Sequence, residues 1–264
     1  MQLDAVTQIL QEAAEVAIVP RFRALAEGDV SHKASGEVVT IADREAEELI
    51  SRRLQDLLDA PVVGEEATAA TPGLVRALRE APAAWVVDPL DGTANFVAGR
   101  PFWAVMAALV RGGQTVAAWI VRPVDDLAYV AEHGSGAWRN GTRVIRPPAP
   151  EDPAAMRGVA HTRFLAPPDK ERVRAARPLF AGLGPGTSCA GIDYPQLIEG
   201  EIDFVLFWRT SPWDHAPGTL LAREAGSTAL RPDGSPYRPD DDREGLLSAA
   251  DDRSWRTVRP LLLG

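Results

Sequence analysis

The chain contains the stretch Trp85-Val-Val-Asp88-Pro89-Leu90-Asp91-Gly92-Thr93-Ala94-Asn95-Phe96, which predicts a buried strand that runs directly into a turn with two carboxylates. Because Pro89 fixes its own φ and disfavours a helical Asp88, a tight turn can point both aspartates at one place. The Leu90 carbonyl would then lie beside the two carboxylates, as in a metal site. An ordinary Asx or proline turn is the alternative, since such turns are common.

The residues after the aspartates favour anion binding. Gly92 and Thr93 fall where a helix is predicted to begin. Backbone N–H groups at a helix start, together with the positive end of the helix dipole, attract phosphate. The stretch therefore predicts a phosphate next to a bound metal ion.

Length and composition are those of an ordinary globular protein. The chain has 264 residues, of which 45% are hydrophobic and 25% charged, so it can bury a substantial core. Its single cysteine, Cys189, excludes an intramolecular disulfide framework. The start of the chain lacks the pattern of a secretory signal, and no apolar run approaches the ~20 residues that span a bilayer. We therefore expect a cytoplasmic protein without a membrane segment.

The net charge of −9 argues against a broad nucleic-acid surface, which requires clustered lysine and arginine. An anionic substrate would have to be received locally, by metal ions and backbone N–H groups. The four histidines have no zinc-ligand spacing, and there is only one cysteine. A hard metal ion with oxygen ligands is the better match, and a small phosphorylated molecule is the expected partner.

The first part of the chain is predicted to contain two helices and then a sheet. Residues 3–25 carry apolar side chains at helical spacing, with a kink expected at Pro20, and a second helix follows residue 43. Residues 101–144 alternate as strands do. Turns at Gly112-Gly113 and Asn140-Gly141 join them, which predicts an antiparallel meander.

A proline-rich connector at residues 146–153 is the predicted boundary of a second part. Beyond it we predict strands at 156–160 and 202–208, a glycine-rich turn at 182–186, and a helix after Thr187 and Ser188, which would cap it. We expect one domain, 1–264. Its subdomains would be about 1–146, with the metal site and the large antiparallel sheet, and 147–264, a smaller α/β part.

Four carboxylates are predicted at the ends of separate elements, each near a glycine or proline: Glu65, Asp88, Asp91 and Asp214. Singly, each acid also fits a helix cap or a solvated turn. If the four converge, their repulsion raises some of their pKa values unless divalent cations compensate the charge. Carboxylates, a backbone carbonyl and water suit Mg²⁺ or Mn²⁺.

Three motifs resemble those of the inositol monophosphatase family and follow the family's order. They are Gly64-Glu65-Glu66, Asp88-Pro-Leu-Asp91-Gly-Thr-Ala-Asn-Phe96 and Trp213-Asp214-His-Ala-Pro-Gly218. The resemblance also takes in Lys33, Val39-Thr40, Asp43, the hairpin at 134–141 and Gly186-Thr187. It implies an α/β fold, a layered α-β-α-β-α sandwich, usually dimeric, that hydrolyses phosphate monoesters with magnesium and is often inhibited by lithium.

The resemblance implies a set of metal ligands. Glu65, Asp88 and the Leu90 carbonyl would hold the first ion. Asp88, Asp91 and Asp214 would hold the second, with Glu65 also near a third, looser ion. Two ions in such a site can clamp the attacking and leaving oxygens of an in-line displacement.

The resemblance also implies catalytic and substrate-binding residues. Thr93 and Asp43 would orient the attacking water, with Glu65 as a third catalytic residue. The N–H groups of Gly92 and Thr93 would bind the phosphate. Further predicted substrate contacts are Gly186, Thr187 and Lys33.

The chain departs from the family pattern at Phe207. By an ungapped count from Asp214, this residue replaces the glutamate that binds ring hydroxyls in inositol-selective members. An apolar ring accepts no such hydrogen bonds, so strong inositol selectivity is not expected. Inositol 1-phosphate is the default substrate, and the alternatives are histidinol phosphate, fructose 1,6-bisphosphate and a 3′-phosphoadenosine nucleotide. A non-catalytic regulatory protein of the same fold is a hypothesis of a different class.

Overall fold

The computed structural model describes residues 3–264. The helices are α1 (Leu3–Ala13), α2 (Ile41–Leu57), α3 (Glu65–Ala70), α4 (Ala77–Glu80), α5 (Thr93–Val97), α6 (Pro167–Ala176), α7 (Ala190–Glu199), α8 (Pro212–Glu224) and α9 (Asp252–Leu263). Shorter 3-10 turns lie at Val19–Arg21, Pro72–Arg76, Pro153–Ala155 and Arg177–Leu179. No helix among these residues combines the length and the apolar character needed to cross a membrane.

The strands belong to a short hairpin and two larger sheets. They are β1 (Val30–His32), β2 (Val38–Thr40), β3 (Val62–Gly64), β4 (Ala83–Asp91), β5 (Ala104–Arg111), β6 (Gln114–Arg122), β7 (Leu127–Glu132), β8 (Gly136–Arg139), β9 (Thr142–Val144), β10 (Arg157–Ala160), β11 (Gly182–Gly184), β12 (Phe204–Phe207), β13 (Thr228–Leu230) and β14 (Leu246–Ala249).

The larger sheet has seven strands in the order β3-β4-β5-β6-β7-β8-β9. The pair β3/β4 is parallel, and every following pair is antiparallel, so the predicted meander is confirmed. Its two predicted turns have the positive φ angles that a tight hairpin requires: 55° and 70° at Gly112-Gly113, 46° and 77° at Asn140-Gly141.

The second sheet has five strands in the order β11-β10-β12-β14-β13. The strand β10 pairs in parallel with both β11 and β12, whereas β14 runs antiparallel to β12 and β13. The connector at 146–153 separates the strands of the two sheets along the chain.

Three apolar clusters hold the layers together. The helices α1 and α2 pack on one face of the seven-stranded sheet. The helices α7 and α8 fill the space between the two sheets, and α6 and α9 cover the outer face of the five-stranded sheet. This is the predicted α-β-α-β-α sandwich, so the fold class is confirmed.

Two local predictions were wrong. The first α-helix ends at Ala13 and continues as a π-helical turn, Ala14–Ile18, and a 3-10 turn, so the irregularity begins before Pro20. Residues Gly182–Gly184, predicted as a turn, form the edge strand β11 because their backbone pairs with β10. A backbone ladder of this kind needs no β-forming side chain, so tertiary pairing overrides the local preference of glycine.

Close packing between α7 and α8 depends on Gly218. A Cβ at this position would lie 2.0 Å from Cδ2 of Tyr194, whose ring is fully buried. We expect Gly218→Ala to lower the free energy of unfolding by about 1–3 kcal/mol, because the overlap outweighs the ~1 kcal/mol that alanine gains over glycine in a helix. Urea unfolding measures the effect.

The matched control is Gly73→Ala, where an added Cβ meets nothing within 4 Å. It should leave the free energy of unfolding within a few tenths of a kcal/mol of wild type or slightly above it. Equal midpoints for the two variants would contradict the packing argument.

Candidate active site

A register shift in β4 places two aspartates on one face of the larger sheet. Asp88 lies opposite Met106 and Asp91 lies opposite Ala104, so three residues of β4 advance while β5 advances two. In a regular strand, side chains three residues apart point to opposite faces. The turn predicted at these two aspartates is therefore wrong, because β4 continues through Asp91. The extra residue removes the opposition, as in a β-bulge, and both carboxylates then face α7 and α8.

Asp214 joins the pair from the first turn of α8. Carboxylate oxygens of Asp88, Asp91 and Asp214 all lie within 4.8 Å of one another. We call these three residues the acid cluster. Asp88 and Asp91 are buried, and Asp214 is half-buried. A strand end and a helix start far apart in sequence therefore bring their carboxylates together.

The start of α7 fixes the carboxylate of Asp91. The N–H of Gly191 donates to Asp91 Oδ2 at 2.6 Å, and the Cys189 thiol approaches the same oxygen at 3.1 Å. A Cβ on Gly191 would lie 2.5 Å from the Cβ of Ala104, so only glycine allows this approach. Neither residue was predicted as part of the site from the sequence, although the small pair Ala190-Gly191 at a helix start could have indicated a close contact.

Glu65 is positioned from α2. The Glu47 carboxylate accepts the N–H groups of Glu66 and Ala67, both at 2.7 Å, and thereby caps the start of α3. A Cβ at Gly64 would lie 2.4 Å from Glu47 Cδ, so the glycine makes room for this cap. The cap fixes the strand-to-helix turn that carries Glu65.

Glu65 lies near the acid cluster but outside it. Lys33 Nζ is 2.6 Å from Glu65 Oε1 and 2.6 Å from Glu66 Oε1, with only 9% of the lysine side chain exposed. The charge of Glu65 contributes to the raised pKa values of Asp88, Asp91 and Asp214. The lysine is thus tied to the glutamates, and its predicted contact with phosphate stays a prediction.

Asp43 serves both α2 and Thr93. Its Oδ2 accepts from the Thr40 N–H at 2.8 Å, which completes a capping box at the start of α2. Its Oδ1 lies 2.9 Å from Thr93 Oγ1, which is also 3.0 Å from the Leu90 carbonyl oxygen. Asp43 can therefore cap α2 and also take the predicted catalytic role with Thr93, because each task uses a different oxygen.

Burial raises the pKa of every carboxyl in the acid cluster. The pKa of Asp88 and that of Asp214 rise well above their usual value, and neighbouring carboxylates add to the effect of burial. Burial raises the pKa of Asp91 to about 6, although the Gly191 N–H and the Cys189 thiol oppose the shift. A divalent cation would compensate both the lost hydration and the repulsion, and the all-oxygen cluster fits a hard ion.

The predicted phosphate contacts fall in two places. Gly92 has φ 87°, and a Cβ there would lie 2.6 Å from the Phe102 carbonyl oxygen, so the turn after Asp91 requires glycine. Gly186 also has positive φ, and Thr187 Oγ1 lies 2.9 Å from Asp193 Oδ1. Their roles in phosphate binding stay predictions.

The predicted capping of α7 by Thr187 or Ser188 was wrong. The residue before α7 is Cys189, and it makes no side-chain cap bond. The Thr187 hydroxyl turns to Asp193 and the Cys189 carbonyl instead. A neighbouring buried carboxylate therefore competes successfully with the helix terminus for this hydroxyl.

Phe207 forms the centre of an aromatic wall beside the acid cluster. Its ring stacks on His161 with centroids 4.8 Å apart and on Tyr194 at 5.2 Å. His161 Nε2 lies 2.6 Å from Asp193 Oδ2, and no hydrogen bond within residues 3–264 uses its Nδ1. Sequence analysis did not single out His161, since a lone histidine in a loop has no distinguishing pattern.

The sequence profile of the inositol monophosphatase family matches residues 2–259. This chain belongs to that family. The inositol-1-monophosphatase of Mesorhizobium japonicum is 35% identical to it over 215 residues, which are 78% of this chain and 76% of that protein. A Vibrio cholerae protein named Nus factor SuhB is 29% identical over 200 residues, 75% of this chain and 73% of its own length.

The solved structures agree on the fold. The Thermotoga maritima IMPase superposes with a TM-score of 0.83 at 22% identity, over 99% of this chain and 96% of that one. Membership of the inositol monophosphatase family makes the chain a hydrolase of phosphate monoesters, and the acid cluster is its candidate metal centre.

The raised pKa of Asp91 predicts a pH-dependent penalty in the metal-free protein. Folding raises the pKa of Asp91 from 3.8 to about 6. The folded protein therefore loses stability as the pH rises through about 6 and the buried carboxyl ionises. Asp91→Asn stays neutral. In EDTA, we expect the free energy of unfolding of Asp91→Asn minus that of wild type to increase by on the order of 1–3 kcal/mol between pH 4 and pH 7.5.

Glu48→Gln is the control, because 79% of the Glu48 side chain is exposed and it lies outside the acid cluster. Denaturant melts of the three proteins across this pH range measure the difference. A constant offset between Asp91→Asn and wild type at all pH values would contradict the electrostatic assignment.

Proposed function

We propose that this protein hydrolyses a small phosphate monoester with two to three Mg²⁺ ions, with Mn²⁺ as an alternative. The observation that carries the proposal is the acid cluster, three carboxylates within 4.8 Å on a buried bulge and a helix start. Asp88, Asp91 and Asp214 would hold the metal, together with Glu65 and the Leu90 carbonyl. The family's metal-dependent chemistry and the all-oxygen ligand set support this assignment.

The chain's own residues have separable tasks in this proposal. Bound metal ions would lower the pKa of water and stabilise the charge on the phosphoryl group. Thr93 and Asp43 would orient the attacking water: with the Thr93 hydroxyl donating to Asp43, a lone pair on Oγ1 remains to accept a proton of that water. Glu65, held by Lys33, would complete the catalytic set. The mechanism needs no covalent nucleophile.

The phosphate would lie over the turn after Asp91. Thr93 is the first residue of α5, so the N–H groups of Gly92 and Thr93 have no acceptor inside that short helix. They would donate to phosphate oxygens. Gly186, Thr187 and Lys33 remain proposed substrate contacts. Lys33 would have to share its ammonium with Glu65 to reach the substrate.

The alcohol that carries the phosphate is a separate question. Inositol 1-phosphate is the default, in keeping with the Mesorhizobium relative's name. The stacked Phe207 accepts no hydrogen bond from ring hydroxyls, which keeps histidinol phosphate, fructose 1,6-bisphosphate and a 3′-phosphoadenosine nucleotide as alternatives. The family resemblance is the basis for proposing a homodimer, and the single cysteine, which is free, is the basis for proposing a cytoplasmic location.

A regulatory role without turnover is the competing hypothesis, favoured by the relative named as a Nus factor. A protein of that kind has no need to keep the acid cluster intact. The complete cluster and the net charge of −9 favour the phosphatase.

Phosphate release from a panel of monoesters, with and without Mg²⁺, tests the function. We expect Mg²⁺-dependent release by wild type and a fall in kcat of at least about 10³-fold in Asp91→Asn, because the variant loses a charged ligand. Glu48→Gln should keep wild-type kcat. Release by Asp91→Asn at the wild-type rate would refute the site, and no release from any monoester would refute the function.

A further inference from the structure

Arg209 is anchored next to the acid cluster. His215 follows the metal-ligand candidate Asp214, and its Nε2 lies 3.1 Å from the Arg209 carbonyl oxygen. Glu37, the ion-pair partner of Arg209, lies in the same loop as Lys33, whose N–H donates to the Glu37 carbonyl oxygen at 2.8 Å and whose Nζ pairs with Glu65. Arg209 is therefore tied both to the helix start that carries Asp214 and to the loop whose lysine pairs with Glu65, at the border of the proposed site.

The ring of Phe164 lies next to two guanidinium groups. The Arg209 guanidinium lies 4.6 Å from the centre of the Phe164 ring, and that of Arg163 lies 5.1 Å from it. Phe164 is 43% exposed. Among residues 3–264 Arg163 has no ion-pair partner. The Phe164 ring therefore contacts one arginine with an ion-pair partner and one without such a partner among these residues.

Most donors of Arg209 are open to a ligand. Its Nη1 pairs with Glu37, which lies in the loop between β1 and β2. No other side-chain nitrogen of Arg209 has a hydrogen-bond partner within the described residues, and 42% of the side chain is exposed.

The two acidic side chains that contact His161 and Arg209 are already engaged in hydrogen bonds. The Asp193 carboxylate is taken by His161 and Thr187, and Glu37 is taken by Arg209. Phe207 offers an apolar ring. A polyol needs acceptors for its hydroxyl protons, whereas guanidinium groups match carboxylate or phosphate oxygens.

We propose that Arg209, assisted by Arg163, binds a second anionic group on the leaving group, and that Glu37 occupies Arg209 until such a substrate arrives. The inference rests on the proposed function, since it names the substrate class of the same site. The preferred substrate is then a phosphate monoester whose alcohol carries a carboxylate or another phosphate. Arg209 and Glu37 determine specificity and take no part in breaking the ester bond.

Two matched substrate pairs test the proposal. Glycerol 2-phosphate and 2-phosphoglycerate differ by a carboxylate, and fructose 1-phosphate and fructose 1,6-bisphosphate differ by a phosphate. We define the charge preference as kcat/KM for the member with the second anionic group divided by kcat/KM for the member without it, measured at constant free Mg²⁺. Wild type should show a charge preference of about 10 or more in one pair, which also tells carboxylate from phosphate recognition.

Variants assign the preference to residues. Arg209→Gln should lower the charge preference about 10- to 100-fold, since a charge-assisted contact is lost. Glu37→Gln should raise it several-fold, because the competing carboxylate is removed. Arg174→Gln, whose side chain pairs with Glu171 on the exposed surface, should leave it unchanged.

The readout separates this inference from the proposed function. Because each charge preference is a ratio within one variant, a general loss of activity or folding cancels. A wild-type charge preference near one in both pairs, or one that Arg209→Gln does not lower, overturns the inference. Turnover of the esters without a second anionic group would still support the phosphatase. A charge preference lowered by Glu37→Gln overturns the role of Glu37 as the resident occupant of Arg209.

Discussion

The site depends on one extra residue in β4. Without the shift between Asp88 and Asp91, side chains three apart would point to opposite faces of the sheet, and one aspartate would face α1 and α2. Pro89 suits this place because it has no N–H to contribute to the ladder. The bulge therefore turns the carboxyl end of an interior strand into a site with two carboxylates on the face where α7 and α8 pack.

The second constraint is electrostatic. The fold buries like charges together: Asp88 and Asp91 on the strand, and Asp214 at the start of α8. Rigid neighbours prevent the acids from separating, as when the Gly191 N–H holds the Asp91 carboxylate at 2.6 Å. The raised pKa values reflect the free-energy cost of holding ionised carboxylates close together before a cation binds.

The sequence predicted the layers and the acids well because both leave local patterns. Strand alternation and tight-turn glycines located the meander from β5 to β9, and the spacing of Asp88 and Asp91 indicated the cluster. Contacts between distant segments left no such pattern. The cap that Glu47 supplies to α3, the close approach of Gly191, and the stack of His161 on Phe207 each join residues whose proximity only the tertiary fold creates.

The central claim is that Asp88, Asp91 and Asp214 hold a divalent cation together. Diffraction from crystals grown with Mn²⁺, collected near the manganese absorption edge, tests it most directly. The account predicts an anomalous peak within ligating distance, about 2.0–2.3 Å, of oxygens from all three carboxylates. An empty cluster at saturating Mn²⁺, or a peak bound only elsewhere, would contradict it.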